Sequence, residues 1–339
     1  MIRRRLIAGL GLAAAMTLAA CGDRAETPAA GAKGPPKELV FSILSAENQQ
    51  SMGPLWQPLL DDMSEQVGVP VKPYFATNYT SLIEAMRFGQ VQVGWFSALP
   101  ALEAVRRANG QVLGRVIDSG GADSYTSVLI VRKGSGITLD DVMKCDKRFS
   151  FGLGDAKSTS GTLAPMTYLF SPRGVDPNTC FKTVRSANHE TNLFAVGSGQ
   201  LDAATNNTAS MERLGMLGTD LAKRTLADVE VIWTSPTIPE DPMVRRKDLD
   251  PALKAKIDQF MFSYGTGTGP EAERQRKVLE RIQTAPFKRA DDTHLIPVRE
   301  MEATGALNAA KSKGDAAAVN AAQAELAKIA AERKALPAA

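Results

Sequence analysis

The sequence predicts an α/β protein of two lobes, with a helical extension at its C-terminus. Three features carry that expectation. Strand-like apolar segments alternate with helix-patterned segments along most of the chain, the pattern of βαβ units and a mainly parallel sheet. Two such runs join near residues 126 and 235. Beyond residue 298 the composition shifts to Ala, Lys and Glu. A chain of 339 residues with 44% apolar content is long enough for two cores.

The first run opens with an apolar strand at 38–44. A helix at 49–67 follows, with Met52, Leu55, Leu59, Leu60 and Met63 at helical spacing. Strands at 69–75, 91–96 and 112–118 alternate with helices at 79–88 and 99–107. The second run begins with the continuous apolar strand 127–132 and a short helix at 137–143. Strands at 149–153, 181–185, 201–205 and 229–233 follow, with helices after residue 158 and at 189–196. Residues 235–242, punctuated by Pro236, Pro239 and Pro242, read as a turn. Helices at 250–264 and 270–284 return to the first lobe, the latter opened by Pro270, Glu271 and Glu273. The first lobe is therefore assigned 38–126 and 236–298, and the second 127–235. The extension is 299–339, read as one or two exposed helices broken at Gly314-Asp315. Such a tail packs on the first lobe or on a second subunit, which allows a homodimer through these helices.

A net charge of +3 without a dense basic block argues against a nucleic-acid surface. Arg3, Arg4 and Arg5 precede an apolar run, 6–20, that is short for a membrane span. The run ends in Leu-Ala-Ala-Cys-Gly. By its similarity to the bacterial lipobox, this marks residues 1–21 as a lipoprotein signal with Cys21 lipidated, and 22–37 as a flexible tether. The alternative is an ordinary secretory signal with a chance cysteine. The remaining cysteines, Cys145 and Cys180, are an even pair in an exported chain and predict one disulfide, with two separate buried thiols as the alternative.

Ser158, Thr159 and Ser160 stand in a row where a helix begins after the strand 149–153. N–H groups at a helix start have no intrahelical partner, and the helix dipole favours an anion there. Hydroxyls beside them suit a phosphate-like oxyanion. The plainer reading is one capping serine with two incidental neighbours. His189 opens a later helix after a strand, so its ring could donate to the same anion, or simply cap or face solvent. Asn206, Asn207 and Thr208 sit at the next strand end. Asp241, between prolines, is a binding acid or an ordinary turn residue.

Several long segments, in order from about residue 40 to 300, carry a resemblance. They include SAENQQSMGPLWQPLLDDM, EAMRFGQVQVGWF, LEAVRRANGQV, SVLIVRKGS, FGLGDAKSTSG, NHETNLFAV, DAATNNT, VIWTSPTIPEDPMVRRK and LERIQTAPF. The chain resembles the periplasmic phosphonate-binding proteins of ABC uptake systems. The resemblance implies a two-lobed type II periplasmic solute-binding fold, a phosphonate held between the lobes, and a membrane permease and ATPase as partners. It assigns the phosphonate oxygens to Ser158, Thr159, Ser160 and His189, with Tyr79 and Tyr125 contributing and Asp241 reading an amine on the ligand. That makes 2-aminoethylphosphonate or a related alkylphosphonate the expected solute, with phosphite or methylphosphonate as the alternative. The chain departs from the family where a second acid would follow Asn206-Asn207-Thr208. Ala209 stands there, with Glu212 one turn on as the nearest carboxylate. Phe96 also replaces a tyrosine common after the strand tryptophan.

Catalysis is not expected. Ser158, His189 and Asp202 or Asp241 could be combined on paper, but no Gly-x-Ser-x-Gly elbow surrounds the serine. With two histidines and no Cys-x-x-Cys or His-Glu-x-x-His, neither a metal nor a cofactor is expected.

Overall fold

The computed structural model describes residues 36–336. The proposed signal, Cys21 and most of the tether lie outside the described residues.

Among the described residues eleven strands form two sheets. They are β1 (Leu39–Ile43), β2 (Val71–Phe75), β3 (Val93–Trp95), β4 (Gly110–Arg115), β5 (Ser124–Arg132) and β6 (Ser150–Leu153). β7 (Thr183–Ser186), β8 (Ala203–Asn207), β9 (Val229–Pro239), β10 (Pro242–Arg246) and β11 (Lys288–Arg289) complete them. One sheet has the order β11-β4-β10-β3-β1-β2, the other β7-β6-β8-β5-β9. The chain leaves the first sheet after β4, builds the whole second sheet, and re-enters at β10.

The sheets are mixed, which corrects the expectation of mainly parallel pairing. β1 pairs parallel with β2 and β3, and β6 with β7 and β8. β10 is antiparallel to β3 and β4, and β5 is antiparallel to β8 and β9. The cause is the double crossing: β5 arrives from the other lobe and β10 returns to it, so both run against their neighbours. The segment read as a proline turn is also different. Residues through Pro239 continue β9 along β5, and only Glu240 and Asp241 separate it from β10. A register shift between Thr126 and Val128 of β5 accommodates Pro236 without a ladder bond from it, and a second shift lies between Leu129 and Ile130.

The helices follow the apolar spacing. Gln49–Val67 buries Met52, Trp56, Leu59, Leu60, Met63 and Val67 against β1, in a core that includes Phe41 and Trp95. Gly68 ends it in the left-handed conformation (φ 81°), where a glycine carries no Cβ penalty. The second lobe has a core on each sheet face. One is built on Val128, Ile130 and Leu193, the other on Phe151, Phe170 and Phe181. The stacked rings of Phe151 and Phe181, 4.2 Å apart, sit in the latter. Cys145 and Cys180 are joined beside it, with sulfurs 2.07 Å apart.

The tail forms helices Ile296–Lys313 and Ala316–Ala335, separated by Gly314 at φ 67° and Asp315 as the next N-cap. The first packs on both lobes. Thr167 Oγ1 donates to Met301 O (3.2 Å), and Arg106 pairs with Glu302 (2.8 Å). Among the described residues no helix is long and apolar enough to cross a membrane.

Closing a loop of 35 residues by a disulfide restricts the unfolded chain. Replacing both Cys145 and Cys180 by Ser should therefore cost about 2–4 kcal/mol. Chemical denaturation of the oxidised protein checks this; an unchanged midpoint would mean the bridge contributes nothing.

Candidate functional site

The ends of β1, β3, β6 and β8 face the junction between the lobes, and each continues into a loop or helix start there. β6 runs into Gly154, which lies against Gly161. A Cβ on Gly154 would stand 2.5 Å from Gly161 Cα, so neither position tolerates a side chain without a shift. This close approach brings the start of the next helix onto the strand end. The helix is wound wide, with π-type bonds over Thr159–Leu163 and Met166–Phe170, such as Leu163 N–H to Ser158 O (3.0 Å).

The three hydroxyls at its start do different things. Ser158 is the N-cap: its Oγ accepts from Gly161 N–H (2.9 Å) and lies 3.4 Å from His189 Nε2. Thr159 reaches across to the first lobe. Its Oγ1 accepts from Leu99 N–H (2.8 Å) and shares a hydrogen bond with Ser97 Oγ (2.7 Å). Ser160 borders a cavity between the lobes, and its Oγ accepts from Asn207 Nδ2 (3.1 Å).

That cavity collects residues from both lobes. Tyr79, Ser97, Tyr125, Ser160, His189 and Asp241 all line it. Its volume, about 10 Å³, is close to what one water needs. The lobes must part, or side chains move, to admit anything larger. Tyr79 opens the helix Tyr79–Arg87, and its N–H donates to Asp155 of the other lobe (3.1 Å). Tyr125, on β5, directs its hydroxyl at Asp241 Oδ1 (3.4 Å). Asp241 sits at the return crossing between β9 and β10. Asn188 caps the helix His189–Gly197, and His189 N–H donates to Ala46 O across the junction (3.0 Å).

The residues named from sequence thus converge, but not uniformly. Glu212 turns to Gln283 and does not border the cavity. Phe96 is fully buried in the first lobe's core. Asp202 binds Ser150 N–H and Oγ (both 2.7 Å) and plays no part at the junction. His189 Nδ1 is buried without a hydrogen-bond partner. Among the described residues no acid orients the ring against Ser158, the place of the third member in a hydrolytic triad.

Three groups at the site escaped sequence reading: Glu47, Glu240 and Arg213. Glu47 follows β1 and pairs with Arg213 of the opposite lobe (2.8 Å), accepting also from Ser210 Oγ (2.7 Å). Arg213 was legible in one respect, since it lies four residues from Ala209 on helix Thr208–Met216 and shares its face. Glu47 and Glu240 carry no such signal, because only the tertiary fold brings them here.

Burial dominates the electrostatics. It raises Asp241 well above the carboxylate range, with Glu240 adding repulsion. It raises Glu240 to about 7. Burial also raises the Tyr79 and Tyr125 hydroxyls, with Asp241 contributing, so both are donors at neutral pH. Desolvation lowers His189 to about 4, outweighing Glu47, which raises it.

A two-lobed α/β chain with hydrogen-bond donors of both lobes converging on one cavity has the architecture of a type II periplasmic binding protein. The chain belongs to the family described as "ABC transporter, phosphonate, periplasmic substrate-binding protein", whose model matches residues 41–295. It is a periplasmic phosphonate-binding component of an ABC transporter. It is 42% identical over 266 residues to the phosphonates-binding periplasmic protein of Escherichia coli (strain K12), covering 78% of this chain and 76% of that one. A solved binding-protein component of an ABC phosphonate transporter from Pseudomonas aeruginosa superposes with a TM-score of 0.82 at 37% identity. That match covers 88% of this chain and 99% of the other. A Prochlorococcus marinus protein solved with methylphosphonate shares the fold, with a TM-score of 0.67 at 22% identity and coverage of 78% and 97%. These relatives are binding components of ABC transporters, not enzymes.

Between pH 4 and 6.5 the unfolded chain protonates its histidine while native His189 stays neutral. Its contribution to stability is therefore lost as pH falls through that window. Glu240 works the other way: its native form keeps a proton that the unfolded chain releases between 4.5 and about 7, so its contribution is lost as pH rises. His189→Gln should abolish the acid-side loss attributable to this ring in urea melts at pH 4.5 and 7. An identical pH dependence in wild type and variant would place the imidazole in water.

Proposed function

We propose that the protein captures alkylphosphonates, 2-aminoethylphosphonate or a close relative, in the cavity between its lobes and presents the closed form to a permease and ATPase. The observation that carries this reading is the single cavity bordered by Ser160 and His189 of one lobe and Tyr79 and Asp241 near the other. A phosphonate offers three oxygens to several donors in a small volume. Ser160, the N–H groups of the helix start, the two tyrosines and His189 supply them, while Ser158 fixes the helix start beside His189 and Thr159 joins the lobes in the closed form. Charge-assisted hydrogen bonds of this kind are about twice as strong as neutral ones. An arriving anion also favours the imidazolium form of His189 against the burial that holds the ring neutral. Asp241 is the acceptor for an ammonium group, which restores its ionised form. Hinging about the two crossings explains how so tight a cavity is reached.

The reading includes a lipid anchor on Cys21, which would hold the protein at a membrane surface. Mass spectrometry of the protein extracted from membranes should show acyl chains on Cys21; an unmodified mature N-terminus elsewhere contradicts it. In a homodimer, the outward side of Ala316–Ala335 is the surface available for pairing.

Calorimetry against 2-aminoethylphosphonate, methylphosphonate, phosphite and phosphate tests the solute class. 2-Aminoethylphosphonate should bind most tightly of the four. Tighter binding of phosphite or phosphate would favour the alternative receptor. Ser158→Ala or Thr159→Ala should weaken every phosphonate by about 1–3 kcal/mol, the usual loss when a buried polar partner, here Gly161 N–H or Leu99 N–H, is left unpaired. Asp241→Asn should weaken 2-aminoethylphosphonate more than methylphosphonate; equal losses would leave Asp241 a purely structural role.

A further inference from the structure

The cavity holds one cation whose role the phosphonate reading leaves open. Arg213 lines it, although its side chain is only 13% exposed. The guanidinium is fixed on two sides. Nε and Nη2 donate to Glu47 Oε1 (3.0 and 2.8 Å), and Nη2 also donates to Ser210 Oγ (2.9 Å). Its carbon lies over the Trp95 ring, 5.3 Å from the centroid. Nη1 makes no hydrogen bond among the described residues. Glu47 already balances its charge, but an acid at position 209, one helical turn away, would take up the remaining Nη1 edge. Ala209 leaves it available instead.

A second cavity adjoins the first and shares Ala209, Arg213 and Glu240 with it. Trp56, Trp95, Gln283 and the acid Asp118 also line this extension. Trp56 Nε1, Trp95 Nε1 and Gln283 Oε1 are all buried with no hydrogen-bond partner. Unpaired buried polar atoms are costly, and here they gather around one space. The Trp56 indole N–H and the guanidinium edge form a donor set for a carboxylate, while the Trp95 N–H faces Asp241 and Gln283 Oε1 is an acceptor. Asp241 and Glu240 border the first cavity as acceptors for an ammonium. The distance to the hydroxyl run is short: Ser160 Oγ connects through Asn207 Nδ2 (3.1 Å) and Ser210 Oγ (3.3 Å) to Arg213 Nη2 (2.9 Å).

We infer that Arg213 is a specificity-determining residue, and that the solutes preferred by this site are phosphonates whose carbon substituent carries both an ammonium and a carboxylate group. The inference rests on the phosphonate-receptor reading and narrows its substrate class. An alkylphosphonate with an amine alone satisfies the acids but leaves Arg213 Nη1 and the Trp56 indole N–H unmatched. An α-amino acid substituent meets both.

The test is calorimetry with 2-amino-3-phosphonopropionate, 2-aminoethylphosphonate and methylphosphonate. The wild-type protein should bind the amino acid phosphonate roughly 10-fold or more tightly than 2-aminoethylphosphonate, as expected for one added charge-assisted contact. In Arg213→Lys, which keeps the charge but loses the fork, that ratio should fall towards one. The double variant Arg213→Gln with Glu47→Gln, which leaves no buried charge alone, should behave likewise. Thermal melts establish that the variants fold; if neither does, the wild-type ratio decides. A wild-type protein that binds 2-aminoethylphosphonate and methylphosphonate but gains nothing from the carboxylate overturns this inference alone. So does a ratio that survives both substitutions. Absence of binding to all three compounds overturns it together with the reading beneath it.

Discussion

Thr159 Oγ1 occupies a position on which the arrangement of the junction depends. It belongs to the second lobe, yet its partners are Leu99 N–H and Ser97 Oγ at a helix start of the first. Two helix starts from different lobes are thereby joined through one hydroxyl. Neighbouring contacts repeat the device: Asn48 N–H donates to Glu190 (2.7 Å), Ser51 Oγ to the same carboxylate (2.8 Å), and Lys157 pairs with Glu103 (2.9 Å). These polar contacts lie beside an apolar continuation of the first core, in which Leu163, Ala164 and Tyr168 of the second lobe pack. The polar contacts suit a surface that must open and re-form, because water can replace each partner when the lobes separate.

Polar contact at the junction also accounts for the electrostatic character of the site. Glu47, Glu190, His189, Glu240 and Asp241 are all buried. Each is costly to hold away from water unless paired. The second sheet's crossing topology makes this concentration unavoidable, since Glu240 and Asp241 form the two-residue step by which β9 of one sheet becomes β10 of the other. The site is thus placed where the chain changes lobes, and its acids are part of the connection itself. The same step constrains motion, because any opening must turn about it and about the segment joining β4 to β5.

Much of this was readable in the chain. Apolar spacing located the helix Gln49–Val67 and its buried face, and the Ser158 hydroxyl run marked a helix start at the junction. Gly314 and Asp315 marked the break in the tail. What local pattern could not give was pairing. The antiparallel course of β5 and β10 follows from which lobe each comes from, and no period-two alternation records that. The prolines at 236, 239 and 242 suggested a turn because a proline lacks an N–H. An irregular ladder with displaced register tolerates them. The role of Thr159 in joining the lobes was likewise hidden, since capping chemistry predicts only a local acceptor. Arg213 was visible as a neighbour of Ala209 on one helix face, but its partner Glu47 lies 166 residues away.

The central claim is that a phosphonate sits between the lobes with its oxygens on Ser160 and His189 and its substituent toward Asp241 and Arg213. A crystal structure of the protein with 2-aminoethylphosphonate tests this most directly. The phosphonate oxygens should lie within about 3 Å of Ser160 Oγ and His189 Nε2, with the ammonium at Asp241. Phosphorus density elsewhere on the surface, with the Ser160–His189 cavity unchanged, would contradict it.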